Sequence, residues 1–457
     1  MKKIILIILS LCVIQAIDAQ SIRRNNKSGN PEEKVREDIP VVRSGAQINH
    51  GTSGKDNAQK YKKSPVKGIA QDTVYCIQTK KQHGWFAPVR TISKEEASHR
   101  SFTYRFTKRN AQGNWCKMEL IDGYGNYTAT GGMSPYILKI GSADTDSLAN
   151  TDWVDKIKTE CIYEFIADPT GKNVIQERAY DKDMNIIYTY SRTPIGKDSS
   201  GHNRYVGSYK DYYGLPAEMR KDTTNTYTYG TLVMLTEDIW GNDSIIEYMD
   251  AKGLKKPNSD GVAMEVFVCN KDGLQLKQQS RDSDGSLKID NWGNCGIEYV
   301  WNDDHTLASA TYMNDKWEPM RIPGLRTTNG SDNVIQARYK YDQYAREIER
   351  SYYTSDGKPD VNLTGTHKFT VIYDNYGNLA EQRYYDINGR LINNESGCAI
   401  YQAHYNDKGK PTDRFWLNQH EELYYRERYL YNKNNEQVLC EGYSVENGKK
   451  ILKYKDV

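Results

Sequence analysis

Through the C-terminal two-thirds of the chain, apolar side chains fall on every second position in short runs divided by polar corners. Ile335, Ala337, Tyr339 and Tyr341 share one face, and Gln336, Arg338 and Lys340 the other. Cys295, Ile297, Tyr299 and Trp301 alternate in the same way, as do Phe369, Val371 and Tyr373, and again Ala399, Tyr401, Ala403 and Tyr405. A period of two predicts strands with one dry face and one wet face, the signature of an antiparallel sheet. The run after each corner is more polar (Glu347, Glu349 and Arg350; Glu381, Gln382 and Arg383). It is expected to meet water on at least one side.

The corners keep step. Pairs that open them fall at Glu237-Asp238, Cys269-Asn270, Trp301-Asn302, Tyr341-Asp342, Tyr373-Asp374, Tyr405-Asn406 and Tyr431-Asn432, with offsets of 32, 32, 40, 32, 32 and 26. The long step is one period plus an insertion near Trp317–Asn333, and the short one is a truncated last unit, as expected where an array ends. Glycine recurs three residues after the Asp or Asn (Gly241, Gly273, Gly377, Gly409) and fifteen after it (Gly253, Gly285, Gly357, Gly389). It recurs again twenty-three after it (Gly261, Gly293, Gly365, Gly397). Glycine at fixed offsets marks positions that need positive φ, and an opening Asp or Asn hydrogen-bonds its own backbone. Asp238, Asn270, Asp342, Asp374 and Asp386 are therefore read as structural turn positions. Weaker copies stand at Asp211–Gly214, Asp168–Gly171 and Asn110–Gly113.

These features predict an all-β protein. Antiparallel β-hairpin repeats of about 32 residues form an extended twisted sheet or open β-solenoid, with a small N-terminal β-rich cap. Tyr373-Asp-Asn-Tyr-Gly-Asn378 and Tyr385-Asp-Ile-Asn-Gly-Arg390 resemble the Tyr-Asp motifs of the bacterial RHS/YD-repeat family, over roughly Ala167–Asn447. The resemblance implies a secreted or surface β-hairpin protein; some members of that family bind sugars or enclose toxins. The step here is longer than that family's usual unit.

Toward the N-terminus, Lys2 and Lys3 precede an apolar run from Ile4 to Ile17 and then Ala19, the layout of a Sec signal peptide over residues 1–19. Export to the periplasm, outer surface or exterior follows. No later stretch reaches the roughly 20 apolar residues of a spanning helix. Residues 20–68 carry eleven Lys and Arg against five Asp and Glu and almost no aromatic side chains, which reads as a disordered basic tether. Residues 69–165 read as the β-rich cap, with strands at Val74–Thr79, Phe102–Thr107 and Trp115–Ile121. A capping box at Ser93–Glu96 opens a short helix there, and a second helix is expected over Thr151–Phe165. Residues 166–457 form the repeat domain.

Composition adds two constraints. From Ile69 on there are 49 basic and 54 acidic residues, a balance that argues against nucleic acid as a partner. Tyr is five times as common as Phe, 36 against 7. That suits strands that are half dry, where the ring packs and the hydroxyl finds a polar neighbour.

Candidate chemistry is sparse. The eight His have no ligand spacing, the seven cysteines after Cys12 form no C-x-x-C pair, and no nucleophile elbow or phosphate loop appears. No catalytic residue, metal or cofactor is assigned. Asp282-Ser-Asp-Gly-Ser286 resembles part of a calcium loop but coincides with a turn of its unit. Trp240, Trp292, Trp317 and Trp416, in irregular segments, are the ligand-platform candidates. The expected function is an exported, non-catalytic envelope or secreted protein that presents a surface to polysaccharide or an envelope protein. Two alternatives stay open: a carbohydrate-active hydrolase with its site near the N-terminal region, and an assembly protein that pairs through a sheet edge.

Overall fold

The computed structural model describes residues 73–128, 160–211, 214, 216, 232–258, 260–290, 293–322, 334–394, 396–446 and 449–456. The chain divides into two units, Asp18–Gln71 and the remainder, and every described residue belongs to the latter. The signal peptide and tether, and Trp292, lie outside the described residues.

One sheet runs through the described chain, and every neighbouring pair of strands in it is antiparallel. It begins with β1 (Thr73–Gln82), β2 (Trp85–Ile92), β3 (Thr103–Arg109) and β4 (Trp115–Ile121), with α1 (Lys94–Ser98) between β2 and β3. Strand β1 sits between β2 and β3, so β2 is one edge. At the start of α1, Ser93 Oγ accepts from Glu96 N and the Glu96 carboxylate accepts from Ser93 N, the capping box expected there. The second expected helix is not formed at its described end. Residues Ile162–Ala167 are β5, paired with β4 on one side and β6 (Val174–Tyr180) on the other. Ile162 and Phe165 are buried there, and cross-strand pairing of this β-branched and aromatic stretch outweighs its weak helical signal. The expected boundary between cap and repeats, at 165/166, falls inside β5, so the sheet is continuous across it.

The sheet continues through β7 (Ile186–Lys197), β8 (Asn203–Asp211), β9 (Leu232–Glu237) and β10 (Asp243–Met249). The next hairpins are β11 (Met264–Cys269) with β12 (Gln275–Arg281), β13 (Gly296–Trp301) with β14 (Leu307–Met313), and β15 (Gln336–Tyr341) with β16 (Glu347–Tyr353). After these come β17 (Lys368–Tyr373) with β18 (Leu379–Tyr385), β19 (Ile400–Tyr405) with β20 (Pro411–Leu417), and β21 (Leu423–Tyr431) with β22 (Gln437–Glu446). Strand β23 (Lys449–Asp456) ends the sheet, paired with β22.

The alternation read from sequence is the burial pattern. Ile297, Tyr299, Ala337, Phe369, Val371, Tyr401 and Ala403 are all buried. The first turn of each unit is accompanied by a register shift at a fixed place, between Val268 and Cys269, Val300 and Trp301, Ile372 and Tyr373, and Leu430 and Tyr431. A bulge in every unit adds right-handed twist and loosens the ladder next to the turn. The aromatic residue before the Asp or Asn repairs that place. Tyr373 Oη donates to Glu347 O at 2.8 Å, Tyr405 Oη to Leu379 O at 2.9 Å, and Trp301 Nε1 to Gln275 O at 2.7 Å. Each acceptor carbonyl lies five residues after the turn Asp or Asn of the preceding unit. The recurrent aromatic residue of the motif thus ties these hairpins to the ones before them.

The short last step also has a structural cause. Regular units link their hairpins through two further turns, such as Asp282–Gly285 and Asp290–Gly293. Between β20 and β21 a single turn, Asn418–Glu422, replaces both.

Candidate interaction surface

The turns set the geometry of the site. Asp238 Oδ1 accepts from Trp240 N and Asn242 N at 2.8 and 2.9 Å, and Gly241 follows at φ 83°. The same pair of backbone hydrogen bonds is repeated at Asn270, Asp342, Asp374 and Asp386. Gly273, Gly285, Gly357, Gly377 and Gly389 take φ between 77° and 86°. Asp282 and Asp284 are tied into their own turn, Asp282 accepting from Ser283 N and Asp284 from Ser286 Oγ and N, and those bonds hold their carboxyls below the usual range. Among the described residues, no group of three or more His, Cys, Asp or Glu is arranged to hold a metal ion.

The first and second turns of the units have different surroundings. The N-terminal segment lies across the first turns. His83 N donates to Gly241 O at 2.7 Å, Arg90 Nη1 to Asp304 at 2.8 Å, and Arg346 Nη1 to His99 O at 2.9 Å. His99 stacks on Tyr344, and Tyr124 on Tyr376, each at 4.4 Å between centroids. A Cβ added at Gly377 would sit 2.4 Å from Ser101 N, and one at Gly409 would sit 2.5 Å from the Tyr124 ring. At Gly253, Gly285 and Gly389, in the second turns, the same atom would meet nothing within 4 Å. One row of corners is an internal docking line and the other faces open space.

Where the tip of the β1–β2 hairpin meets the early units, it closes over two acids. Arg192 Nη2 donates to Glu237 Oε1 at 2.7 Å and Asp243 Oδ1 at 2.9 Å, with its guanidinium over the Tyr205 ring. His83 Nδ1 lies 3.0 Å from Glu237 Oε2, and Asn203 Nδ2 donates to the same oxygen. Burial alone would raise Asp243, but Arg192 and Lys81 outweigh it and hold its carboxyl low. This pair of acids sits where a hydrolase site was considered, and both carboxylates are held by cations in a closed ionic cluster.

The tryptophans are dispersed. Trp240, at the tip of the β9–β10 turn beside the exposed Ile239, is 46% exposed. Trp317 stands at a second-turn position that is glycine in other units, with φ 61°. Its indole covers Gly296, donates to Glu298 Oε1 at 2.6 Å, and has Lys277 Nζ over the ring at 5.3 Å. Trp416 packs on the inner face between Tyr401 and Tyr425. Rings on the outer face are covered in the same way as Trp317: Arg338 lies over Tyr353, Lys368 over Tyr385, and Arg426 over Phe415.

The outer face carries one feature that the sequence reading passed over. Two residues before the turn Asp or Asn stand Val268, Val300, Lys340, Ile372, His404 and Leu430 in the last six units, while the first has the buried Thr236 there. All six are exposed, the four aliphatic ones between 39% and 57%. Their inward neighbours Phe267, Tyr299, Val371 and Ala403 are buried. The signal was in the sequence: an apolar residue at a fixed place on the polar side of the alternation.

The seven described cysteines are free. Burial pushes Cys76, Cys161, Cys269 and Cys398 up to about 12 and Cys295 to about 11, so these thiols act as small apolar side chains. Among the described residues, no helix is long and apolar enough to cross a membrane.

No protein-family model and no curated protein matches the chain. Solved structures similar to it include a crystal structure of TcdB2-TccC3-Cdc42, at 13% identity and a TM-score of 0.27, covering 78% of this chain and 19% of that one. A Photorhabdus luminescens Tc holotoxin pore is similar at 12% identity and a TM-score of 0.24, over 77% of this chain and 16% of that one. A porin-like protein from Bacteroides uniformis is similar at 12% identity and a TM-score of 0.21, over 64% of this chain and 92% of that one. The chain spans less than a fifth of the two toxin chains. At these scores the likeness carries no argument about function.

Proposed function

We propose that this is an exported, non-catalytic β-repeat protein, akin to the RHS/YD-repeat proteins, whose outer sheet face binds a protein partner. The observation that carries the reading is that Val268, Val300, Ile372 and Leu430 are solvent-exposed at one register, in four of six successive units, with Lys340 and His404 in the other two. Aliphatic side chains in a row offer a partner area to dehydrate. They offer a glycan neither a ring to stack on nor a polar group. The outer-face rings that would stack a sugar carry a Lys or Arg over them. Among the described residues, only Trp240 favours the polysaccharide reading, as a single exposed indole.

The test compares wild type with a Val300→Glu/Ile372→Glu variant, using cross-linking in the native envelope and a glycan array. Both substituted positions are exposed, so the fold should survive. A cross-linked protein band that is present with wild type and absent with the variant supports the reading. Glycan binding unaffected by the variant, with no such band, overturns it in favour of a sugar.

A further inference from the structure

Among the described residues the sheet has two edges, and they are protected differently. Strand β2 is spoiled as a template by its own backbone: Pro88 lacks an N–H, and Arg90 sits at φ 48°. Strand β23, Lys-Lys-Ile-Leu-Lys-Tyr-Lys-Asp, has neither Pro nor Gly, and every residue of it except Tyr454 is exposed. It is nonetheless firmly attached. Tyr454 Oη reaches across β22 to donate to Glu427 Oε1 of β21 at 2.8 Å. The Tyr454 ring lies over Gly442, where a Cβ would come within 2.2 Å of it. An anchored, extended strand therefore presents outer N–H and C=O groups on either side of a bulge at Lys453, and that bulge and its charge guard it.

That charge is selective. Lys449, Lys450, Lys453 and Lys455 stand against Asp456. Lys453 and Lys455 lean back on Glu446 and Glu441 at 3.3 and 3.1 Å, through half-exposed side chains that can swing away at little cost. A second copy of β23 would bring lysines against lysines. The chain's own residues 20–68, with eleven basic and five acidic side chains, would be repelled as well. An extended acidic segment meets no such barrier. Its backbone would continue the ladder, its carboxylates would take lysines, and its alternate apolar residues, all on one face, would meet one of the exposed Ile451 and Leu452, which lie on opposite faces.

We infer that β23 is a strand-addition site for an extended acidic peptide segment of a partner protein. The inference is independent of the outer-face row.

The test uses the full chain without residues 1–19 and a fluorescent peptide of about nine residues alternating Glu with Val or Thr. Two controls accompany it: the same peptide with Lys for Glu, and the acidic peptide N-methylated at alternate amides. The acidic peptide is expected to bind at least about tenfold more tightly than either control. It should also slow amide hydrogen exchange in residues 449–456. A Lys453→Glu/Lys455→Glu variant should reverse the charge preference, while the Val300→Glu/Ile372→Glu variant binds as wild type does. Equal binding of the N-methylated peptide means charge attraction without strand pairing and overturns the inference. So does failure of the acidic peptide to bind, which leaves the lysines as a guard only.

Discussion

Strands β1 to β10 and the units from β13 onward solve the same problem with different materials. In the first region one contiguous cluster, including Tyr104, Phe106, Leu120, Ile162, Ile187 and Tyr188, is buried together. In the second, buried apolar residues come in groups of three or four, such as Ile297, Tyr299, Leu307 and Ala310. Between those groups the inward face is polar. Gln278, Glu347, Gln382 and Glu427 are buried on the strands that follow the first turns or next to them. Tyr299 Oη donates to Gln278, and Arg350 pairs with Glu347 while lying over Tyr339 and Phe369. The Tyr excess follows from this. A Phe would pack equally well but leave the inward amides and carboxylates without a donor. A dry core tolerates loss of detail at its rim, whereas the repeat face depends on each polar match and on its neighbours.

The largest effect tests the dry side. Phe106→Ala empties a fully buried site within the large cluster and should cost about 3–5 kcal/mol. Urea unfolding should move as one transition for β1 to β10. If hydrogen exchange then rises only locally around Phe106, the N-terminal region is no more cooperative than a repeat unit, and the contrast fails.

On the repeat side, the comparable test is electrostatic. Arg350 Nε and Nη2 hold the two Glu347 oxygens at 2.9 and 3.0 Å, and burial pushes the Glu347 carboxyl up against that pull. Arg350→Met leaves the carboxylate buried and unpaired, at a cost of about 3–5 kcal/mol at neutral pH. In that variant the folded-state value of Glu347 lies further above the unfolded one. The variant should therefore be most stable below about pH 4.3, where both states are protonated, and lose stability as pH rises. Adding Glu347→Gln should recover most of the loss. A single variant with a flat pH profile would show that water already reaches the pair.

The stitching between units is worth less. Tyr373→Phe removes one hydrogen bond to Glu347 O and should cost about 0.5–1.5 kcal/mol. Its exchange signature should appear at the contact of β16 with β17 and leave the cluster around Phe106 untouched.

The repeat side of this comparison was far more legible in the sequence than the N-terminal side. Period-two runs and glycines at fixed offsets are local signals, and they placed the hairpins, their inward face and the truncated unit. Residues 99–124 show the strands and one weak turn copy, but no local pattern shows where they dock. Their seat along the first turns depends on pairs far apart in the chain, such as His99 with Tyr344 and Tyr124 with Tyr376. Nothing local in sequence encodes those pairs. The burial of the inward Glu347 and Gln382 was not legible for another reason: polarity reads as exposure unless the partner that satisfies it is in view. The tryptophan candidates rested on irregular surroundings. Two of the three described rings turned out to be packed or covered by the fold itself.

The smallest effect concerns the seam where the two regions meet. His83 lies at the tip of the β1–β2 hairpin, its Nδ1 3.0 Å from Glu237 Oε2, with Arg192, Asp238 and Lys81 in the surrounding cluster. The hydrogen bond to Glu237 raises the imidazole above its ordinary value, while partial burial and Arg192 oppose the shift. A histidine whose folded-state value is raised contributes stability that is complete below the unfolded value, near 6.5. That contribution fades as pH rises through the folded value. The difference in melting temperature between wild type and His83→Gln should therefore be largest near pH 5.5–6 and vanish in mildly alkaline buffer. Gln keeps a donor toward Glu237 but cannot carry the charge, so the comparison isolates protonation from hydrogen bonding. Because nearly half of the His83 side chain is open to solvent, added salt should shrink the difference. A constant difference across this range would mean that the tip is held by the His83–Gly241 backbone bond and by Trp85 donating to Lys172 O, with the charge contributing nothing.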